Sequence, residues 1–116
     1  MAHSNARLKG PRWEAQLVRW FRENGWDAER LRMAGKDDQG DVVVRDDGVH
    51  VVIEAKAAKA FDLAGWLRES LVERVNYAKA RGLTLDQTEA MLIIKAPGRP
   101  ITEAYVVQSF KEVFGD

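Results

Sequence analysis

Apolar residues along the chain change period several times, and each change marks an element. Trp13, Leu17, Trp20 and Phe21 recur at i, i+4, i+7 and i+8, the spacing of one helical face. Gly10-Pro11 precedes this stripe and Asn24-Gly25 follows it, so a first helix is predicted to open near Pro11 and stop at Asn24. Residues 1–10 are polar and without period, and the reading for them is a flexible arm. Residues 28–33 are a short strand candidate, and 34–40 a polar loop with two glycines. Residues 41–45 and 49–56 are valine-rich on either side of Asp46-Asp47-Gly48, which predicts two antiparallel strands joined by a tight turn. Asp62 is a candidate N-cap, with Phe61 and Trp66 spaced as a hydrophobic staple. That helix is predicted to run to about Arg81 and end at Gly82. Strands at 91–94 and 104–107 follow, and Ser109 to Glu112 has the spacing of a capping box for a short last helix. Helix, strands, helix, strands, helix is the order of an α/β domain with a mixed central sheet flanked by helices.

Length and composition narrow the function. The 116 residues fit one domain spanning 1–116. There is no cysteine, so thiolate metal sites, disulfides and a cysteine nucleophile are excluded. Two histidines, His3 and His50, are too few for a multi-histidine metal centre. No apolar run approaches the roughly 20 residues that span a bilayer. The polar N-terminus carries no apolar leader core, so the expected location is the cytoplasm. Net charge is zero, which argues against nucleic-acid coating by charge alone. The charge is uneven, however: residues 1–36 hold eight basic and four acidic side chains, and the remainder ten and fourteen.

The chemistry centres on Asp41, Glu54 and Lys56. Asp41 begins one strand of the hairpin; Glu54 and Lys56 end the other, two apart and so on one face. The hairpin brings both carboxylates and the ammonium to one sheet edge. Two carboxylates suit a hard divalent cation such as Mg²⁺. The lysine can orient or deprotonate an attacking water, or neutralise charge on a phosphate. Glu14 falls on the shoulder of the apolar stripe of the first helix, where a carboxylate is partly desolvated unless it meets a cation or donors. It snorkels out to solvent, or it pairs with Arg12 or Arg22, or it is a third acid aimed at the same metal. Trp13, Trp20 and Trp66 read as core, and His50 as a surface or structural residue.

Glu14, Asp41, Glu54 and Lys56 fill in order the four positions of the PD-(D/E)xK nuclease pattern, and the chain resembles that superfamily. Within it the sequence is most similar to archaeal and phage-type Holliday junction resolvases. Lys9-Gly10 before Glu14, Gly25-Trp26 after the first helix, Asp38-x-Gly40-Asp41-Val42 and Ile53-Glu54-Ala55-Lys56 carry the similarity. The resemblance implies a restriction-endonuclease-like fold and a metal-dependent DNA endonuclease leaving a 5′-phosphate and a 3′-hydroxyl. It implies Mg²⁺ (or Mn²⁺ in its place) held by Asp41, Glu54 and the main-chain carbonyl of Ala55, with Glu14 joining directly or through water. Lys56 then positions the nucleophilic water. The implied substrate is a four-way or otherwise branched DNA, and the implied assembly a homodimer. Candidate DNA contacts are Arg7, Lys9, Gly10, Arg12, Arg32, Lys36 and Lys59. The alternatives are a repair or restriction-type nuclease of the same fold, or a non-catalytic DNA-binding or interaction module.

Overall fold

A computed structural model describes residues 2–31 and 38–115, with side chains from residue 10 onward. The elements are α1 (Ala2–Glu23), β1 (Asp27–Arg30), β2 (Val42–Asp46), β3 (Val49–Lys56), α2 (Leu63–Arg81), β4 (Thr88–Ile94), β5 (Tyr105–Val107) and α3 (Phe110–Phe114). Single 3-10 turns at Leu85–Gln87 and Ile101–Glu103 lead into β4 and β5.

The five strands lie in sequence order in one sheet. β1–β2, β2–β3 and β4–β5 pair antiparallel, while β3–β4 is parallel and bridged by α2. A parallel pair needs a long crossover, and the 19-residue helix supplies it. The β2–β3 hairpin turns at Asp47-Gly48, both at positive φ (50° and 82°), the two-residue turn whose twist matches the strands. Register follows: Val42 faces Ile53 and Val43 faces Val52.

Alternation along the strands builds two cores. Val42, Val44, Ile53, Ala55 and Ile93 pack against Trp13, Leu17 and Val18 of α1. Trp13 also donates its indole N–H to the Ile93 carbonyl at 3.3 Å. On the opposite face Val43 and Val52 meet Tyr77 of α2, and Leu92 and Ile94 meet Trp66. The odd residues of β2 and the even residues of β3 therefore look toward α2.

The caps explain where α2 begins and ends. Asp62 accepts a hydrogen bond from the Gly65 N–H at 3.1 Å, and Phe61 packs on Trp66 with ring centroids 5.7 Å apart. Gly82 closes the helix in the left-handed conformation (φ 65°). α1 departs from the expected start. Helical backbone reaches back to Ala2, with Pro11 inside it, so the segment read as an arm at residues 2–10 continues the helix. Ala2, Ala6, Arg7, Leu8 and Lys9 have high helix propensity, and this outweighs the lack of an apolar stripe there. At α3 the Ser109 hydroxyl accepts from the Glu112 N–H (3.4 Å), but the Glu112 carboxylate does not return to Ser109. It binds Arg74 and the Ala90 N–H instead. The reciprocal capping box forms at Thr84 and Gln87.

Candidate metal centre

Asp41 immediately precedes β2, and its N–H is bonded to the Ile53 carbonyl at 3.0 Å. Its carboxylate turns across the hairpin and accepts from the Ala55 N–H through Oδ2 at 2.9 Å. Residues 54, 55 and 56 are thereby held against Asp41. Glu54 and Lys56 project from β3 toward α2, and Lys56 Nζ lies 3.9 Å from Glu54 Oε1. The juxtaposition predicted for these three residues is present.

Gly40 makes the approach possible. Its φ is +99°, and a Cβ there would lie 2.8 Å from Val52 Cγ1, well inside contact distance. The Asp38 side chain accepts from the Gly40 N–H at 2.9 Å, and Asn76 of α2 donates to the Asp38 carbonyl at 2.8 Å. Arg81 holds Gln39 at 2.6 Å. The loop before β2 is thus fastened from its own side chains and from α2.

Glu54 is only 5% exposed, and α2 brings a second buried carboxylate to it: Glu73, 3% exposed. Asp38, Glu54 and Glu73 each offer a carboxylate oxygen, and the three atoms lie within 4.8 Å of one another. Oε2 of Glu54 and Oε2 of Glu73 are both buried without a hydrogen-bond partner. Burial, reinforced by the adjoining Asp41 and Glu73 carboxylates, pushes the Glu54 carboxyl far above its usual range, to about 12. Burial is also the main cause that raises Glu73, to about 7. A carboxyl cluster of this kind, buried and holding its protons for want of positive partners, is suited to a hard cation that displaces them and takes oxygen ligands.

Lys56 is balanced differently. Burial alone would lower its pKa, but the Glu54 and Glu69 carboxylates outweigh that, and it is held above the usual lysine value. Glu69 of α2 is its closer partner at 3.2 Å, and the Trp66 ring lies 5.7 Å from the ammonium. Lys56 is therefore charged at neutral pH. Of the roles the sequence left open, orienting a water or neutralising a phosphate fits this state, and deprotonating a water does not.

Glu14 stands on α1, across the sheet from α2. Its Oε1 accepts from Arg30 Nη2 of β1 at 3.2 Å, so its nearest partner is an arginine that the sequence did not single out. Burial raises its pKa, and the Asp41 and Asp38 carboxylates add to the effect. Glu14 thus feels the acidic cluster without belonging to the group of three that could share an ion. Gly10 lies one turn earlier, where a Cβ would stand 4.0 Å from Glu14 Oε2.

Of the basic candidates, Arg12 is exposed on α1, beside a groove shared with Arg19, Trp20 and Ile101. Lys59 is exposed in the loop after β3. The side chains of Arg7 and Lys9, and the whole of Arg32 and Lys36, lie outside the described residues. His50 is structural: Nδ1 sits 2.6 Å from the Tyr77 hydroxyl. Trp26 is 42% exposed, its ring edge-on to Phe21.

Three residues of this centre were not found from sequence: Arg30, Glu69 and Glu73. A signal existed for Glu73. Trp66, Ser70, Glu73 and Tyr77 form the buried stripe of α2 at spacings of four, three and four, so a carboxylate occupies a core position. Glu73 is more deeply desolvated there than Glu14 is on α1.

Comparison with known proteins agrees with this architecture. Among curated proteins no sequence matches the chain. The structure of Archaeoglobus fulgidus Hjc, a Holliday junction resolvase from an archaeal hyperthermophile, superposes with a TM-score of 0.54 at 20% identity. The match covers 90% of this chain and 92% of that one. The similarity extends to the restriction-endonuclease-like mixed sheet and its flanking helices. In sequence, residues 5–111 match the family described as archaeal Holliday junction resolvase (Hjc), part of the PD-(D/E)xK nuclease superfamily. A hairpin that joins Asp41 to Glu54-Ala55-Lys56, within a family match over nearly its whole length, assigns this chain to the archaeal Holliday junction resolvase family of nucleases.

Proposed function

We propose that this branched-DNA nuclease is a Mg²⁺-dependent homodimer that nicks opposed strands of a four-way junction, with Asp41, Glu54, Ala55 and Lys56 as its working residues. The observation that carries the proposal is the Asp41–Ala55 hydrogen bond, which keeps both carboxylates and the ammonium at one end of the hairpin. Asp41, Glu54 and the Ala55 carbonyl would hold the ion, and the orphaned Glu54 oxygen supports this fit. Bound there, Mg²⁺ would supply Lewis-acid charge to the scissile phosphate. Lys56 stays protonated and donates, orienting the water or a phosphate oxygen. Water adds to phosphorus, the bond to the 3′ oxygen breaks, and that oxygen takes up a proton, leaving a 5′-phosphate and a 3′-hydroxyl. Glu14 acts at the margin of the site, tethered by Arg30.

Arg7, Lys9, Arg12, Arg32, Lys36 and Lys59, with Gly10 allowing close approach, would meet junction phosphates. Because the chain is neutral overall, these contacts are a local feature of the +4 N-terminal third and the loop after β3. The dimer would form through β5 and α3. β5 is an edge strand with Tyr105 and Val106 exposed, and on α3 Phe110 and Phe114 are 77% and 72% exposed.

The test is cleavage of labelled four-way junction, flap, single strand and linear duplex, with Mg²⁺ or Mn²⁺ and with Glu54→Gln as control. Paired symmetric nicks on the junction alone, absent in Glu54→Gln, are the expected outcome. Equal cutting of every substrate would remove the junction preference. Junction binding without cutting would move the chain to the non-catalytic class.

A further inference from the structure

We propose that Glu73 of α2 is itself a metal ligand, and that Asp38, Glu54 and Glu73 form a position for a hard divalent cation beside the one assigned to Asp41 and Glu54. The inference rests on the metal-dependent reading of the site and extends it to a helix that the nuclease pattern does not include.

Glu73 occupies a core position between Ser70 and Tyr77 on the buried stripe of α2. A side chain there would ordinarily be apolar, since a carboxylate loses hydration and gains nothing unless a donor or cation meets it. No N–H and no cation does: Glu73 Oε2 is buried and unpartnered, and so is Glu54 Oε2 beside it. The nearest ammonium, Lys56, is committed to Glu69 at 3.2 Å and approaches Glu54 only through Oε1, at 3.9 Å. Two buried carboxylates each present a free oxygen, and Asp38 brings a third to within 4.8 Å. Oxygens bound to one ion at about 2.0–2.6 Å are separated by up to about 4–5 Å, so the spacing suits one cation. All three ligands are carboxylates, which selects Mg²⁺, Mn²⁺ or Ca²⁺ over softer metals.

The surroundings are built to keep this arrangement. A Cβ at Gly40 would lie 3.8 Å from Glu73 Oε2, so the loop passes against the carboxylate. Asn76, three residues beyond Glu73 on α2, holds the Asp38 carbonyl. The loop that carries Asp38 is therefore docked on the helix that carries Glu73. Glu54 contacts both Asp41 and Glu73, so it can serve both cation positions.

Mn²⁺ titration of the metal-free chain by calorimetry, with thermal melts in EDTA and in Mn²⁺, tests the proposal. Glu73→Gln and Asp38→Asn are compared with the wild type. Asparagine keeps the acceptor for the Gly40 N–H, and residue 38 is exposed, so that variant folds even if the other does not. The expected result is at least tenfold weaker or fewer Mn²⁺ ions bound in both variants, and a smaller metal-induced rise in Tm. In EDTA, Glu73→Gln should melt no lower than the wild type, because it relieves an unpartnered buried acid. Wild-type Mn²⁺ binding in either variant overturns the proposal and leaves Glu73 as a partner that shares a proton with Glu54. A wild type that binds no Mn²⁺ overturns both this proposal and the metal-dependent reading. Weakened binding in the variants, with a wild type that cuts no DNA, sustains this proposal and refutes the nuclease mechanism alone.

Discussion

Lys56 shows how one side chain takes its role from its neighbours. Two carboxylates outweigh its burial and keep it charged, so it acts as a donor and a fixed positive charge. Lys56→Ala should lower junction cleavage by about 10²–10³-fold, the usual cost of one transition-state donor, while Mn²⁺ binding changes little. Single-turnover kinetics beside a metal titration checks the split; a loss of metal binding of the same size would place Lys56 with the ion instead. Glu73 gives a second prediction at this scale. Its pKa is raised in the fold from the usual 4.5 to about 7, so the folded state holds more protons than the unfolded state between those values. Stability from the protonated carboxyl is complete below about pH 4.5 and is lost as pH rises through about 7. In EDTA, Tm should therefore fall across that window, and Glu73→Gln should flatten the fall.

Arg74 joins elements rather than atoms of the site. It donates to Thr88 Oγ1 at 2.9 Å, to the Leu85 carbonyl at 2.8 Å and to the Thr88 carbonyl at 3.1 Å, and it pairs with the buried Glu112. α2, the turn before β4, β4 and α3 meet at one guanidinium. Arg74→Ala should cost about 3–5 kcal/mol, because it leaves the covered Glu112 carboxylate without its charge partner, with only the Ala90 N–H to meet it. Urea denaturation measures it, and Arg74→Met combined with Glu112→Leu should recover much of the loss. None of this network was legible in the sequence. The hairpin, the α2 caps and the stop at Gly82 were, because each depends on residues a few positions apart. Asp41, Glu54 and Lys56 were legible for the same reason: a tight turn fixes which residues oppose one another. Glu73 and Arg30 reach the site from elements whose docking depends on packing across the sheet. Glu112 has the spacing of a cap partner for Ser109, but a half-buried arginine 38 residues away binds its carboxylate instead. The start of α1 is hidden in the sequence because Pro11 marks a helix opening, while the helix formers before it carry the backbone back to Ala2.

The whole chain presents two unlike surfaces. The acidic centre sits where β3 ends, on the side of α2; elsewhere among the described residues Val106, Phe110, Val113 and Phe114 leave apolar area in water. Phe110 and Phe114 pack on each other at 4.8 Å with most of their rings uncovered. Phe110→Asp with Phe114→Asp should convert the proposed dimer to a monomer in sedimentation equilibrium. It should also replace paired junction nicks by single ones, since each copy brings one centre. A dimer that survives both substitutions would put the interface elsewhere.

The parallel pairing of β3 with β4 has a consequence for how the chain leaves the ribosome. β2 and β3 can close as soon as residue 56 emerges, but the other edge of β3 has no partner until residue 94 is made. For that interval an eight-residue apolar strand, Val49 to Lys56, offers open hydrogen-bonding groups along one side. Glu54 near its end, and Lys56 closing it, are charges of the kind that discourage edge-to-edge stacking. Residues proposed for phosphate chemistry would thus double as gatekeepers of the nascent sheet, and neutralising both at once would be felt first as lost soluble yield.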